Sequence, residues 1–117
     1  ADTDWPEIAS LYGVLSRLWP SPVVELNRAV AVGMATGPAS GLAIVDRVRS
    51  GGVLNGYPLL AAVRGDLLAR LNRAAEARAE FEQAASLSSN ARERAVFLGR
   101  AADAAAQTDG PSEQSPG

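Results

Sequence analysis

Apolar side chains recur at three- and four-residue intervals along almost the whole chain, and this spacing predicts amphipathic helices. The clearest stretch is the first, in which Ile8, Leu11, Leu15 and Leu18 share one helix face. No stretch alternates apolar and polar residues at the two-residue period of a strand. The pattern therefore predicts an all-α chain of about six helices, folded as antiparallel hairpins.

Residues that cap helices mark the boundaries of these segments. Asp4, Ser21 and Asn90 precede the first, second and sixth apolar runs, where a short oxygen-bearing side chain satisfies free backbone amides. Asn72 follows the fourth run and is predicted to end that helix in a left-handed conformation. The chain is accordingly expected to hold one helical domain over residues 1–107, followed by a disordered tail over 108–117 that is rich in Pro, Gly and Ser.

Small residues recur at matched positions in two helical hairpins. Ala29 and Gly41 are twelve residues apart, and so are Gly65 and Ala77, thirty-six residues further along. Two small residues let paired helices approach closely, and a larger residue four positions further on fills the groove between them. This arrangement is typical of helical solenoid repeats, and the spacing is similar to that of the tetratricopeptide repeat. The fold class is therefore predicted as hairpins stacked in a short TPR-like solenoid. The residues assigned to repeat packing are Ala29, Gly41, Val45, Gly65, Ala77, Phe81 and Ala84.

Composition excludes several kinds of chemistry. The chain has no cysteine and no histidine, which removes thiolate and imidazole metal ligands and the usual nucleophile–histidine pairs. Its 11 basic residues are all arginine, its formal net charge is −2, and no apolar run approaches the length of a membrane span. We therefore expect no catalysis, no cofactor, no metal, no membrane contact and no direct contact with nucleic acid, in a cytoplasmic protein.

The candidate binding residues line the inner side of the predicted solenoid. Asn27 is the most informative of them, because asparagine is a poor residue inside a helix. It either contacts a partner or donates a hydrogen bond to a neighbouring helix. Trp5 is a second candidate, which either packs in the core or marks a face where an upstream domain docks. The full set of predicted partner-binding residues is Trp5, Leu26, Asn27, Val30, Met34, Ala62 and Asp66.

Other charged and aromatic residues have structural interpretations. Arg64 is expected to pair with Asp66 beside it or with a group on the neighbouring helix. Glu80 is expected on a solvated face with the acidic residues around it. Trp19 is expected in the core.

One segment resembles a known family. Residues 18–32 read LWPSPVVELNRAVAV, and further matches follow over residues 37–94. The segment resembles extracytoplasmic-function (sigma-70-like) sigma factors of bacterial RNA polymerase that carry a tetratricopeptide-like C-terminal extension. The resemblance implies a fused regulatory domain, whose partners would be the N-terminal sigma domains of the same chain, RNA polymerase or another regulatory protein. A peptide-binding TPR module of an unrelated cytoplasmic protein is the alternative.

Overall fold

The computed structural model describes the backbone of residues 3–113 and the side chains of residues 3–107. Within that range the chain is all-helical, and the predicted all-α fold class is confirmed. The helices are α1 (Trp5–Leu18), α2 (Pro22–Ala35), α3 (Pro38–Gly51), α4 (Pro58–Arg70), α5 (Ala74–Leu87) and α6 (Ala91–Glu113).

The capping residues act as the sequence predicts. A side-chain oxygen of Asp4 accepts a hydrogen bond from the backbone amide of Glu7 at 3.1 Å, and Asn90 accepts one from the amide of Glu93 at 3.0 Å. Ser21 caps α2 in the same way. These bonds satisfy amides that the first turn of a helix leaves without partners, and so they fix where α1, α2 and α6 begin.

Asn72 ends the α4 segment in the left-handed region, with φ +62°. The amide of Arg73 then donates to the carbonyl oxygen of Leu68 at 2.9 Å, which closes the turn as in a Schellman motif. The predicted left-handed cap is confirmed.

The chain divides into two compact units, Ala1–Gly56 and Tyr57–Gly117. In the first unit α2 packs against both α1 and α3, and in the second unit α5 packs against both α4 and α6. Each unit is therefore built around one central helix. The larger buried side chains are Leu26, Leu42, Ile44, Val45 and Leu54 in the first unit, and Leu60, Leu67, Leu68 and Phe81 in the second.

A close approach between α2 and α3 lies at Gly41. A Cβ placed on Gly41 would lie 2.6 Å from the carbonyl oxygen of Ala29 and 3.0 Å from the Cα of Gly33. The predicted Ala29–Gly41 contact is thus a backbone-to-backbone approach, which only glycine permits. Gly33 contributes the other half of this contact and was not predicted.

Gly65 serves the α4–α5 pair in a different way. A Cβ placed there would lie 3.0–3.1 Å from three ring carbons of Phe81, so the missing side chain makes room for the aromatic ring. Ala77 and Ala84 are fully buried on the same helix as Phe81. The repeat-packing residues of this hairpin therefore lie in its core, with Phe81 seated on Gly65.

The last helix is longer than the sequence predicts. Its backbone is helical as far as Glu113, whereas the domain boundary was placed at residue 107. The alanine-rich stretch 101–106 has high helix propensity, which favours continuation beyond that boundary. Residues 114–117 of the predicted tail lie outside the described residues. Among the described helices, none combines the length and the apolar character that a membrane crossing requires.

Candidate functional site

Four residues of α2 form one exposed face of the first unit. Val23, Asn27, Val30 and Met34 follow each other at intervals of four, three and four residues, which places them in a single row along the helix. Val30 is 36% exposed and Met34 38% exposed, Val23 is exposed, and Asn27 is half-buried. We call these four residues the α2 face. It is an apolar strip with one amide near its centre.

This row is exposed because the opposite side of α2 packs into the core of the unit. Leu26, Ala29 and Gly33 are buried, and the carbonyl of Ala29 lies close to Gly41 of α3. Leu26 is only 1% exposed, so its assignment to a binding groove is wrong. Its side chain belongs to the core of the unit, because it lies one residue away from the exposed row and therefore points to another side of the helix.

The side-chain amide of Asn27 has no hydrogen-bond partner among the described residues. This excludes, within that range, the internal bond to a neighbouring helix that was its alternative interpretation. A primary amide carries both a donor and an acceptor group. It can therefore pair with the N–H and the C=O of one residue in an extended segment. The apolar neighbours Val23, Val30 and Met34 offer contact surface for that segment's side chains. The arrangement can hold a polypeptide segment, with the amide fixing its register.

A polar network fixes α2 to α1 beside this face. Ser16 Oγ on α1 donates to Glu25 Oε2 at 2.6 Å, and Arg28 donates to both carboxylate oxygens of Glu25, at 3.0 and 3.1 Å. The hydrogen bond from Arg28 lowers the pKa of Glu25, against the opposing effect of partial burial, with smaller contributions from Ser16 and Arg47. Glu25 is therefore held ionised, and the network fixes the rotation of α2 that exposes Asn27.

The second unit has an open groove around Asp66. Asp66 is half-buried on α4 and accepts a hydrogen bond from Arg70 Nε at 3.1 Å. The buried ring of Phe81 lies at the groove, and α6 supplies its other polar groups. The groove is lined by Asp66, Ala69, Phe81, Arg100, Asp103, Ala104 and Gln107. Its mixed charges give it no clear preference for one type of ion.

The prediction for Ala62 is wrong in the same way as that for Leu26. Ala62 is 6% exposed and packs in a cluster with Ala61, Ala84 and the half-buried Phe97. It lies in the contact between helices, because α5 covers this side of α4. Its small side chain contributes to helix packing.

Arg64 pairs with the neighbouring helix. Its guanidinium donates to Glu80 Oε2 on α5 at 2.6 Å, and both side chains are largely buried. Of the two alternatives for Arg64, the bond across to another helix is the one observed. The prediction that Glu80 lies on a solvated face is wrong, because the interhelical contact covers it. The charge pattern along α5 did not distinguish Glu80 from its exposed neighbours.

The two tryptophans lie at the two ends of α1. Trp5 begins the helix and is half-buried. Trp19 follows the helix as its C-cap and is exposed, so its predicted core position is wrong. The α1 helix ends at Leu18, so Trp19 lies outside the helical path that the sequence spacing assumed, and its side chain is exposed to solvent.

The acidic side chains that the structure describes do not cluster into a metal-binding or catalytic centre. Among the described residues, no three acidic groups lie close enough to hold a metal ion. Glu25 and Glu80 are each paired with arginine. The chemistry available at the α2 face is hydrogen bonding and apolar contact.

Comparison with known proteins identifies a relative of this chain. An uncharacterized protein of Rhizobium meliloti (strain 1021) is 50% identical to this chain over 95 residues, which are 81% of the chain and 22% of that protein. The chain thus spans about a fifth of the length of the curated relative that it matches. No protein-family model matches the chain. No solved structure matches it.

Proposed function

We propose that this chain is a regulatory, protein-interaction domain of a bacterial sigma factor, which adjusts transcription initiation by docking on another protein segment. Its partners are the N-terminal sigma domains of the same polypeptide, RNA polymerase, or another regulatory protein. It works in the cytoplasm, binds rather than catalyses, and leaves promoter contact to the sigma domains. The resemblance of residues 18–32 to the sigma-factor extension supports the assignment.

The observation that carries the binding role is the α2 face. The side-chain amide of Asn27 lies between exposed Val23 and exposed Val30 and has no partner among the described residues. Asparagine lowers helix propensity, so its place inside α2 favours a binding role. A bound segment gains two backbone hydrogen bonds from the amide and apolar contact from its neighbours. The same residues 18–32 that carry the resemblance contain Val23, Asn27 and Val30.

The matching relative is itself uncharacterized, but its length supports the proposal that this chain is one domain of a longer polypeptide. It continues well beyond the matched 95 residues, which make up 22% of its length. A domain fused to a longer polypeptide can act on its own chain at high effective concentration, so a weak surface such as the α2 face is sufficient for regulation.

The proposal is tested by transcription in a reconstituted system. The full-length sigma factor is compared with a form that lacks this domain and with the Asn27→Ala and Met34→Glu variants, on a promoter that the factor recognises. We expect deletion to change promoter-dependent transcript yield several-fold, and both substitutions to change it in the same direction.

Val96→Glu is the matched control, since Val96 is an exposed apolar residue on α6, outside the α2 face. It should leave the transcript yield unchanged. Unchanged transcription after deletion of the whole domain would contradict the sigma-factor role. An equal effect of Val96→Glu and Met34→Glu would show that the α2 face is not the docking surface.

The second candidate function is a TPR-like peptide-binding module of an unrelated cytoplasmic protein. Two features of the second unit favour this function. Gly65 and Phe81 pack closely in the α4–α5 hairpin, as in a helical repeat, and polar side chains line the groove around Asp66. A peptide array probed with the chain tests this. Peptide binding that Asp66→Ala abolishes and Asn27→Ala leaves unchanged would support the module over the sigma-factor role.

A further inference from the structure

The α1 helix has no fully buried residue, and its exposed side carries three large apolar residues. Leu11, Val14 and Leu18 are 61%, 44% and 64% exposed and lie in one row at intervals of three and four residues. We call these three residues the α1 stripe. They lie apart from the α2 face, on a different helix of the same unit.

The other outer helix of this unit has a different surface. Like α1, α3 packs against α2. Its exposed residues are small or charged, such as Ala43, Asp46 and Arg47, and none is a large apolar residue. A helix at the end of a helical array needs such a polar outer side to stay in water. The α3 helix meets this requirement and α1 does not.

We infer that the α1 stripe is covered by an amphipathic helix from the same polypeptide, supplied by the part of the chain that precedes α1. This inference rests on the proposed function, which places the sigma domains there. The matched relative has most of its length outside the region shared with this chain, so a polypeptide of this kind has ample further chain to supply such a helix.

The size of the stripe favours a helix of the same chain over a second copy. Three partly exposed side chains present on the order of 200 Å² of apolar surface. A stable dimer interface needs about 800 Å² from each partner. A helix joined to α1 through the backbone loses less translational and rotational freedom than a separate molecule does, and so it binds through a smaller surface.

Charges at the two ends of the stripe define the orientation of that helix. Glu7 is exposed near the start of α1, and Arg17 is exposed near its end with no ion pair among the described residues. The covering helix is therefore expected to place a basic residue near Glu7 and an acidic residue near Arg17. Between them it has apolar residues at helical spacing.

The test measures the solvent accessibility of the α1 stripe by cysteine labelling. The 117-residue chain has no cysteine of its own, so an introduced cysteine is its single labelling site. Leu11→Cys and Leu18→Cys are made singly, both in this 117-residue chain and in the full-length sigma factor, and a maleimide is applied. Labelling is measured at the introduced site by peptide mass spectrometry. We expect both sites to label about tenfold more slowly in the full-length protein.

Leu98→Cys is the matched control, an exposed leucine on α6 that should label at the same rate in both forms. Hydrogen exchange of the α1 amides in the two wild-type proteins is the second measurement, which needs no substitution and should show slower exchange in the full-length form. Equal labelling rates at residues 11 and 18 in the two proteins, with equal exchange of the α1 amides, would overturn the inference.

Protection that appears in the 117-residue chain and grows with protein concentration would also overturn it, in favour of a second copy as the occupant. The labelling experiment and the transcription experiment can fail independently of each other. Protection of the stripe with unchanged transcription would show a covered α1 and no regulation. Regulated transcription with an unprotected stripe would leave the proposed function standing and reject this inference.

Discussion

At the scale of single residues, the strongest constraint in the first unit is the space at Gly41. A methyl group there would lie 2.6 Å from the carbonyl oxygen of Ala29, which is backbone and cannot move aside without shifting α2. We expect Gly41→Ala to lower the free energy of unfolding by about 1–3 kcal/mol, as overpacked cores do. Urea unfolding followed by circular dichroism measures this change.

Gly13→Ala is the control for this substitution. Gly13 lies within α1, and a Cβ there would meet no atom within 4 Å. Alanine has the higher helix propensity, so this variant should be more stable than wild type by up to about 1 kcal/mol. Equal losses in both variants would contradict the role of the contact with Ala29, because a methyl group at Gly13 meets no neighbouring atom.

The lowered pKa of Glu25 predicts how the free energy of unfolding depends on pH. Its pKa is lowered in the folded chain, chiefly by the hydrogen bond from Arg28. The stabilisation is therefore complete above the unfolded-state pKa, near 4.5, and is lost as the pH falls through the lower folded-state pKa. We expect Glu25→Gln to cost about 1 kcal/mol at pH 7, and this difference from wild type to disappear in acid.

Urea unfolding of both proteins from pH 7 to pH 3 checks this expectation. Glu82→Gln is the control, because the ion pair between Glu82 and Arg78 is exposed and contributes little to stability. A Glu25→Gln deficit that persists at the acid end of the range would show that packing of the side chain, and not its charge, stabilises the unit.

Residues that act locally could be predicted from the sequence, and residues whose role depends on a neighbour could not. The caps at Asp4 and Asn90 and the left-handed Asn72 depend on a few adjacent backbone groups, and all three are confirmed. Leu26 and Glu80 lie in the contacts between helices. Their burial depends on which helix covers them, and sequence spacing does not contain that information.

At the scale of elements, the α4–α5 hairpin is joined by the Arg64–Glu80 ion pair at 2.6 Å. Removing one partner leaves a largely buried charge, so we expect Arg64→Met and Glu80→Gln each to cost about 1–2 kcal/mol. The double variant should cost less than the sum of the two. A double-mutant cycle on urea unfolding measures the coupling.

The Arg70–Asp66 pair on α4 provides a comparison within one helix. Both side chains are nearly half exposed, so the cycle of Arg70→Met with Asp66→Asn should give a coupling of about 0.5 kcal/mol or less. Additive effects of Arg64 and Glu80 would show that their bond does not stabilise the hairpin.

Helix positions were predicted closely because their signals lie in the chain itself. Proline stands at or next to the first position of α1, α2, α3 and α4, and glycine follows α3 with φ +84°. The candidate site was predicted only in part. Asn27, Val30 and Met34 share the exposed α2 face, whereas Val23 was missed, although it lies in the same row. Helical spacing identified the row, and the contacts of α2 decided how far it stays exposed.

At the scale of the whole molecule, the second unit should fold by itself. Its core residues and the three helices α4, α5 and α6 all lie within 57–117. We expect a fragment of residues 57–117 to be helical and to unfold cooperatively in urea, with the marginal stability of a small domain. Circular dichroism and a urea titration test this.

A fragment of residues 57–87, which lacks α6, is the matched control. Ala84 and Ala85 of α5 are buried, and buried Ala101 and Ala104 lie on α6, which packs against that helix. Without this cover the shorter fragment should have little helix and no cooperative transition. Full helicity in the shorter fragment would mean that α6 is not needed for the unit.

Met34 is the single methionine of the chain, and it lies on the α2 face. A sample labelled with carbon-13 at the methionine methyl therefore gives one resonance, whose shift and linewidth report on that location alone. Oxidation of the thioether to the sulfoxide would place a polar, chiral group where apolar contact is needed. If the α2 face docks on a protein segment as proposed, peroxide treatment of the intact domain should weaken that binding without unfolding the domain.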